Sequence, residues 1–330
     1  WAATAALLAA GHSAPRDRAA RRVAASHLGV STVLLAAGAG LAAWARARGG
    51  APEQLGLGLI FAAVLIRKGI FPFHAWIPEV FERGRLESAA SFNAPQLGTY
   101  AAIVLAVPRA SPALLAGVAG LGLLTAAYGA LMALYQADAR RACGYLFVSQ
   151  SALVIAGLEL PSRGALTGAL ILWVCSGIAV AGLSRAVLAL EARRGRLRLD
   201  VWHGGYERMP LLAVSVLVMS LAIANFPGTL GFVGGEMLAR GAIDSFPVLG
   251  LFAVAATALS GLAAIRMYFS LFCGRRDSGV HLRLRPAERL GFAAAAALLI
   301  GLGLAPRRLA SVLDRAGAGV FEARRPTVRP

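Results

Sequence analysis

The stretch 112-PALLAGVAGLGLLTAAYGALMALY-135 runs for 24 residues without an Asp, Glu, Lys, Arg or His. As a helix rising 1.5 Å per residue it extends about 36 Å, enough to cross a hydrocarbon core of about 30 Å. Comparable apolar segments fall at 1–12, 21–45, 54–78, 86–107, 112–135, 142–159, 164–190, 210–240, 247–273 and 287–304. A backbone facing lipid has no water to satisfy it, so these segments are expected to be helices rather than an open sheet. The expected fold is therefore an all-α integral membrane bundle of about ten transmembrane helices. No linker divides it: residues 1–304 read as one transmembrane domain, followed by an Arg-rich segment, 305–330.

Composition agrees. The chain has 330 residues, 58% hydrophobic and 15% charged, against about 25% charged in soluble domains. Buried helices of a large soluble protein would be shorter and amphipathic. The net charge of +17 does not point to nucleic acid, because the arginines sit mostly between the apolar runs. There they read as topology determinants and contacts to anionic lipid. Cys143, Cys175 and Cys273 have neither metal-ligand spacing nor a disulfide pattern, so no metal is expected. The chain starts at Trp1, which reads as a fragment or truncated product lacking earlier helices.

If the segments alternate in direction, the loops carrying Arg83, Arg140, Arg193, Arg208 and Arg275 share one side. By the positive-inside rule that side is cytoplasmic. Six arginines after residue 305 break the pattern if the last segment crosses. This C-terminal piece is either an amphipathic surface segment or a tail. The implied location is the cell (inner) membrane, with many passes.

Two segments are interrupted. Residues 54–78 contain Pro72 and Pro78, and residues 210–240 contain Pro227 and Gly228. Proline removes a helix donor and glycine permits non-helical angles. Breaks at membrane depth are tolerated only inside protein or along a wet cavity, and two in corresponding positions point to a transport site. Packing kinks are the plainer alternative. Ionisable residues within spans are costly and often functional: His27, Arg67, Lys68, His74, Arg185, Glu236 and Arg266. Lys68 is the sole lysine, the other 32 basic residues being arginine. A desolvated lysine can release a proton, which arginine cannot; snorkelling is its alternative role. His74 suits either a proton relay or a hydrogen bond to a carbonyl freed at the break. Glu236 follows the second break, and an interfacial salt bridge is its plain reading. Snorkelling is favoured for Arg185 and Arg266.

These residues carry a resemblance. Arg67-Lys68-Gly69-Ile70-Phe71-Pro72-Phe73-His74-Ala75-Trp76-Ile77-Pro78 resembles the K-x-x-x-x-P-x-H-x-W-L-P signature of the antiporter-like membrane subunits of respiratory complex I. Multisubunit sodium/proton antiporters and membrane-bound hydrogenases share it. The stretch from Gln136 to Gln150, with Asp138 and Tyr145, resembles Q-x-D-x-K-R-x-x-A-Y-S-S-x-S-H. Phe226 to Gly234 is similar to x-P-G-T-x-G-F-V-G, and Arg266-Met267-Tyr268 with Phe272-Cys273-Gly274 to R-M-Y…F-x-G. The blocks keep the family's order over about residues 20–275. The resemblance implies two inverted five-helix repeats, each with a broken helix, in a multisubunit complex that moves protons or sodium along a central polar line.

The departures are informative. Counting back from Pro72 and His74, the family lysine falls on Arg67 and Lys68 is one residue late, about 100° around the helix unless a π-bulge re-phases it. Gln96 occupies the lysine position of the next helix, while Leu172 and Ser176 occupy glutamine and histidine positions. The usual G-E is shifted to Gly235-Glu236, and residues 247–273 hold no Lys, Asp or Glu. The leading expectation is a proton- or cation-translocating subunit driven by partner membrane subunits. Lys68, His74 and Glu236 would transfer protons, Arg67 would tune their proton affinity, and Gln96, Asp138, Tyr145, Gln150 and Ser176 would form a possible polar path. No cofactor site is visible, so redox chemistry would belong to a partner. The alternatives are a non-conducting scaffold, or the membrane partner of a soluble zinc-containing protein in inorganic-carbon uptake.

Overall fold

A computed structural model describes residues 15–48, 52–93, 96–274 and 284–324, without the side chains of 15–17 and 92–93. The apolar segment expected at 1–12 and the last six residues lie outside the described residues. Thirteen α-helices form the described chain: α1 Pro15–Arg48, α2 Pro52–Lys68, α3 Trp76–Arg83, α4 Leu86–Asn93, α5 Leu97–Ala101, α6 Pro112–Tyr135, α7 Ala139–Glu159, α8 Arg163–Arg194, α9 Pro210–Ile223, α10 Leu230–Ser245, α11 Pro247–Phe272, α12 Pro286–Leu304 and α13 Arg307–Glu322. A π-helical turn, Ala102–Ala106, continues α5. Among the described residues the only β-type pairing is an isolated bridge between Asp138 and Arg198.

Among the described residues, six helices are long and apolar enough to cross a membrane: α1, α6, α7, α8, α11 and α12. The chain is a multi-pass membrane protein. The other three apolar segments within the described residues are interrupted: 54–78 into α2 and α3, 86–107 into α4 and α5, and 210–240 into α9 and α10. The second of these interruptions also carries a proline and a glycine in its sequence, Pro95 and Gly98.

Local sequence sets the ends. Ser111, Asp138 and Ser162 cap α6, α7 and α8, each accepting from a backbone N–H in the first turn, as short oxygen-bearing side chains do. α7 is the axis of the bundle: its membrane-length stretch is wholly buried, and α3, α6, α8 and α11 pack around it. Burial on every side places Ser149, Gln150 and Ser151 of this helix away from lipid. Arg266, on α11, donates to the carbonyls of Leu134 and Gln136 at the end of α6. It closes a helix C-terminus, where a cation is favoured.

The breaks at Pro72 and Pro227 share one hydrogen-bond pattern. α2 ends with Gly69 N–H on Ile66 O and Ile70 N–H on Leu65 O, and Phe73 N–H then turns back to Ile70 O. α9 ends with Asn225 N–H on Ala222 O and Phe226 N–H on Leu221 O, and Thr229 N–H turns back to Phe226 O. Both are Schellman endings around a left-handed residue, Gly69 at φ 65° and Asn225 at φ 53°. Superposing the patterns sets Lys68 opposite Ala224, so the second break has no lysine.

The Arg-rich C-terminal piece forms α13 up to Glu322 and packs on α8. Arg163 holds Asp314 through two bonds of 2.9 and 2.6 Å. Arg324 reaches the end of α7, donating to the carbonyls of Leu158 and Leu160.

Candidate functional site

Lys68 is the last residue of α2 and is 2% exposed. Its ammonium donates to Gln96 Oε1 at 2.8 Å and to Thr99 Oγ1. An ammonium out of water needs such acceptors, because an isolated buried charge is severely penalised. The negative end of the α2 dipole also faces it. Arg67 is buried as well. One residue back, it projects about 100° away.

The acceptor is held in an unusual conformation. Gln96 precedes α5 with φ 45° and ψ 50°, a left-handed geometry costly for a residue with a side chain. Its carbonyl accepts from Thr99 N–H at 2.8 Å. Its amide nitrogen donates to Ser176 Oγ on α8 at 2.8 Å. Lys68, Gln96 and Ser176 thus form a buried hydrogen-bonded chain from α2 across to α8. Gly98 makes room for it: a Cβ there would lie 2.8 Å from Lys68 Cγ and 3.3 Å from Cδ.

His74 lies in the stretch between α2 and α3. Its Nε2 is 3.1 Å from the hydroxyl of Tyr128 on α6, and the two rings meet edge to face at 4.8 Å. Its Nδ1 is buried with no hydrogen-bond partner among the described residues. Thr125, one turn before Tyr128, accepts from Phe71 N–H at 3.2 Å. Trp76 secures the far edge by donating to Ile66 O at 2.8 Å. Pro72 lies in this non-helical stretch. Pro78 is the third residue of α3, within the first turn, where proline is tolerated. Pro227 and Gly228 (φ 90°) form the second break. Lys68 and His74 are engaged with different helices, α5 and α6.

The other sequence-derived residues are dispersed. Asp138 caps α7 and pairs with Arg196 at 2.8 Å. Tyr145 is buried under the Arg141 guanidinium, 5.9 Å from its ring centre. Gln150 is buried in α7, and Leu172 in α8. Glu236 pairs with Arg240 one turn on, at 2.6 Å, with its side chain 44% exposed. Arg185 is exposed on α8.

Two participants and one further buried acid escaped sequence reading. Thr99 and Tyr128 are ordinary by type, and only the packing of α5 and α6 brings them to Lys68 and His74. Glu159, ending α7, is 1% exposed, and neither carboxylate oxygen has a hydrogen-bond partner among the described residues. Its position next to Leu160-Pro161 at a helix end makes it look like a loop residue.

The family described as "NADH:quinone oxidoreductase/Mrp antiporter, TM" matches residues 26–260. The chain is 29% identical over 275 residues to NADH-quinone oxidoreductase subunit N 2 of Solidesulfovibrio magneticus, covering 82% of this chain and 59% of that protein. It is 25% identical over 271 residues to NADH-quinone oxidoreductase subunit M of Mycobacterium tuberculosis, covering 80% and 49%. The chain therefore spans about half the length of the curated relatives it matches. Among solved structures, a chain of respiratory complex I from Thermus thermophilus with bound NADH aligns with a TM-score of 0.86 at 24% identity, covering 97% of this chain and 72% of that one. A chain of the Mrp complex from Dietzia sp. aligns with a TM-score of 0.85 at 20% identity, covering 98% and 72%. With the proline-broken helices, the buried lysine and the matched stretch in agreement, the chain belongs to the NADH:quinone oxidoreductase/Mrp antiporter transmembrane family.

Proposed function

We propose that this chain is part of a proton- or cation-translocating membrane subunit, working in the cell (inner) membrane within a larger complex whose partner subunits supply the driving reaction. One observation carries the reading: the sole lysine is buried at a helix break and hydrogen-bonded through Gln96 to Ser176 on α8. A charge is kept in such a place at a cost, and intramembrane ionisable residues mark ion paths. Lys68 takes and releases the proton, and His74, with Tyr128 beside it, exchanges it on the α6 side of the break. Arg67 biases the proton affinity of Lys68 by its charge. Gln96, Thr99 and Ser176 orient the ammonium and are not themselves titrated.

The ten-span count and the two inverted five-helix repeats belong to the same proposal. The shared hydrogen-bond pattern at the two breaks supports them. Glu236, on the exposed side of α10 with Arg240, would act at an outer end of the path. Asp138, Tyr145 and Gln150 would contribute along α7.

A second reading, a non-conducting scaffold, draws on Leu172 and on Ala224 opposite Lys68. A third keeps conduction but assigns a soluble redox or zinc-containing partner, and the neighbouring genes separate it from a respiratory complex. The test is reconstitution of the assembled complex in vesicles with Lys68→Ala. Loss of pH-gradient-coupled flux supports conduction. Unchanged flux with normal assembly removes Lys68 from the mechanism and favours the scaffold.

A further inference from the structure

A cavity of about 740 Å³ lies between α8, α9 and α12, with the start of α4 at its rim. Its α8 wall is one face of the helix, set by Ile178, Ala181, Gly182, Arg185, Ala189 and Arg193, a three-four spacing that keeps them in line. The α12 wall is formed by Glu288, Gly291, Phe292 and Ala295, again one face. Small residues on both helices leave the space between the walls unfilled, and Met219 of α9 also lines it.

The cavity is polar at one end only. Arg193 and Arg285 line that end with Glu87 and Glu288, and Arg185 is the one charged residue on the otherwise apolar wall below. Arg193 is already paired with Glu288 at 2.7 Å. Arg185 has no hydrogen bond or ion pair among the described residues, although it lies within a membrane-spanning helix. It sits about 12 Å below Arg193 along α8, and its side chain can rise part of that way to the headgroup level. From Arg193 to Ile178 the wall is about 22 Å long. One leaflet, including its headgroups, is about 20–22 Å deep. The polar end also coincides with the arginine-rich loops, the cytoplasmic side by the positive-inside rule.

We propose that this cavity is a binding site for an anionic glycerophospholipid of the cytoplasmic leaflet. Its phosphodiester is held at the rim by Arg285, with the Arg185 side chain reaching up to it, and one acyl chain passes beside the Arg185 stem along the apolar wall down to Ile178. Two arginines, one with no protein counter-charge, fit an anionic headgroup, and the depth fits a chain of one leaflet. Basic pockets between transmembrane helices on this side are suited to such headgroups.

The experiment is native mass spectrometry of the purified full-length protein or its complex in detergent. Phosphatidylglycerol, phosphatidylcholine and inorganic phosphate are each added at equal concentration. Retention of phosphatidylglycerol over phosphatidylcholine is expected, with no retention of phosphate alone. Arg185→Ala and Arg285→Ala should each reduce phosphatidylglycerol retention about fivefold, whereas Arg240→Ala, outside the cavity, should not. Ala295→Trp, filling the apolar end, should reduce retention with both arginines in place. Equal retention of the two lipids, phosphate binding without lipid, insensitivity to these substitutions, or a protein helix found seated in the cavity would each overturn the proposal.

Discussion

Gly98→Ala is a one-carbon change that acts on Lys68 without touching its charge. The new Cβ would lie 2.8 Å from Lys68 Cγ, against about 3.5–4.0 Å for an ordinary carbon contact. The lysine stem must therefore retreat by about 0.7 Å or more. Its ammonium is 2.8 Å from Gln96 Oε1, so a comparable shift carries that bond beyond the usual 2.7–3.2 Å range. A hydrogen bond to a charged group contributes about 1.5–3 kcal/mol, which corresponds to about 10–150-fold in a rate that depends on it. Gly58→Ala on α2 is the control, since a Cβ there meets nothing within 4 Å, and alanine favours a helix by about 0.5–1 kcal/mol. Flux in vesicles is measured for both variants at matched assembly. Gly98→Ala should lose at least about tenfold and Gly58→Ala should keep its flux. Full flux in Gly98→Ala would mean that the position of the ammonium relative to Gln96 and Thr99 is irrelevant, and the geometric argument would fall.

Gln96→Gly should lower both the melting temperature and flux, because losing the acceptor of the buried ammonium costs about 1.5–3 kcal/mol, more than the roughly 1 kcal/mol that glycine recovers at the left-handed backbone; a raised melting temperature would show that Gln96 contributes strain and no net anchoring. Tyr128→Phe, which deletes the partner of His74, should cost about 1 kcal/mol of stability and slow flux, and an unaltered rate would limit His74 to a structural role. The Asp314 carboxylate, hydrogen-bonded by Arg163, titrates below its ordinary range. Its contribution is thus present above the unfolded value of about 4 and lost as pH falls through the lower folded value. Protease cleavage within α13 should then increase below about pH 4, and Asp314→Asn should already be cleaved faster at neutral pH; equal cleavage of both proteins at every pH would contradict it. Arg324→Ala, which removes the bonds to the carbonyls of Leu158 and Leu160, should loosen α13 in the same assay.

The bundle and its breaks at Pro72 and Pro227 could be read from residues because each has a local cause: apolar length, proline and glycine. Pro95 signals a turn ahead of α5, but glutamine is not a residue that favours a positive φ, so the left-handed conformation of Gln96 was not legible. Thr99 lies 31 residues from Lys68, and Tyr128 lies 54 from His74. Such partners are chosen by helix packing, which a periodic apolar pattern does not specify. The register argument from Pro72 and His74 placed Lys68 off the family's position, and in the fold it has acceptors there because Gln96 and Thr99 approach from α5. Arg266 was expected to snorkel and instead closes the end of α6. That outcome depends on where a neighbouring helix stops, and sequence gives helix ends only to within several residues.

The most direct measurement compares pH-gradient-driven flux for the assembled complex carrying lysine, arginine or alanine at position 68. The account predicts that Lys68→Ala and Lys68→Arg both abolish flux, because arginine keeps the charge but cannot release the proton. Flux preserved in Lys68→Arg would show that a fixed charge suffices, and flux preserved in both would contradict proton exchange at Lys68 altogether.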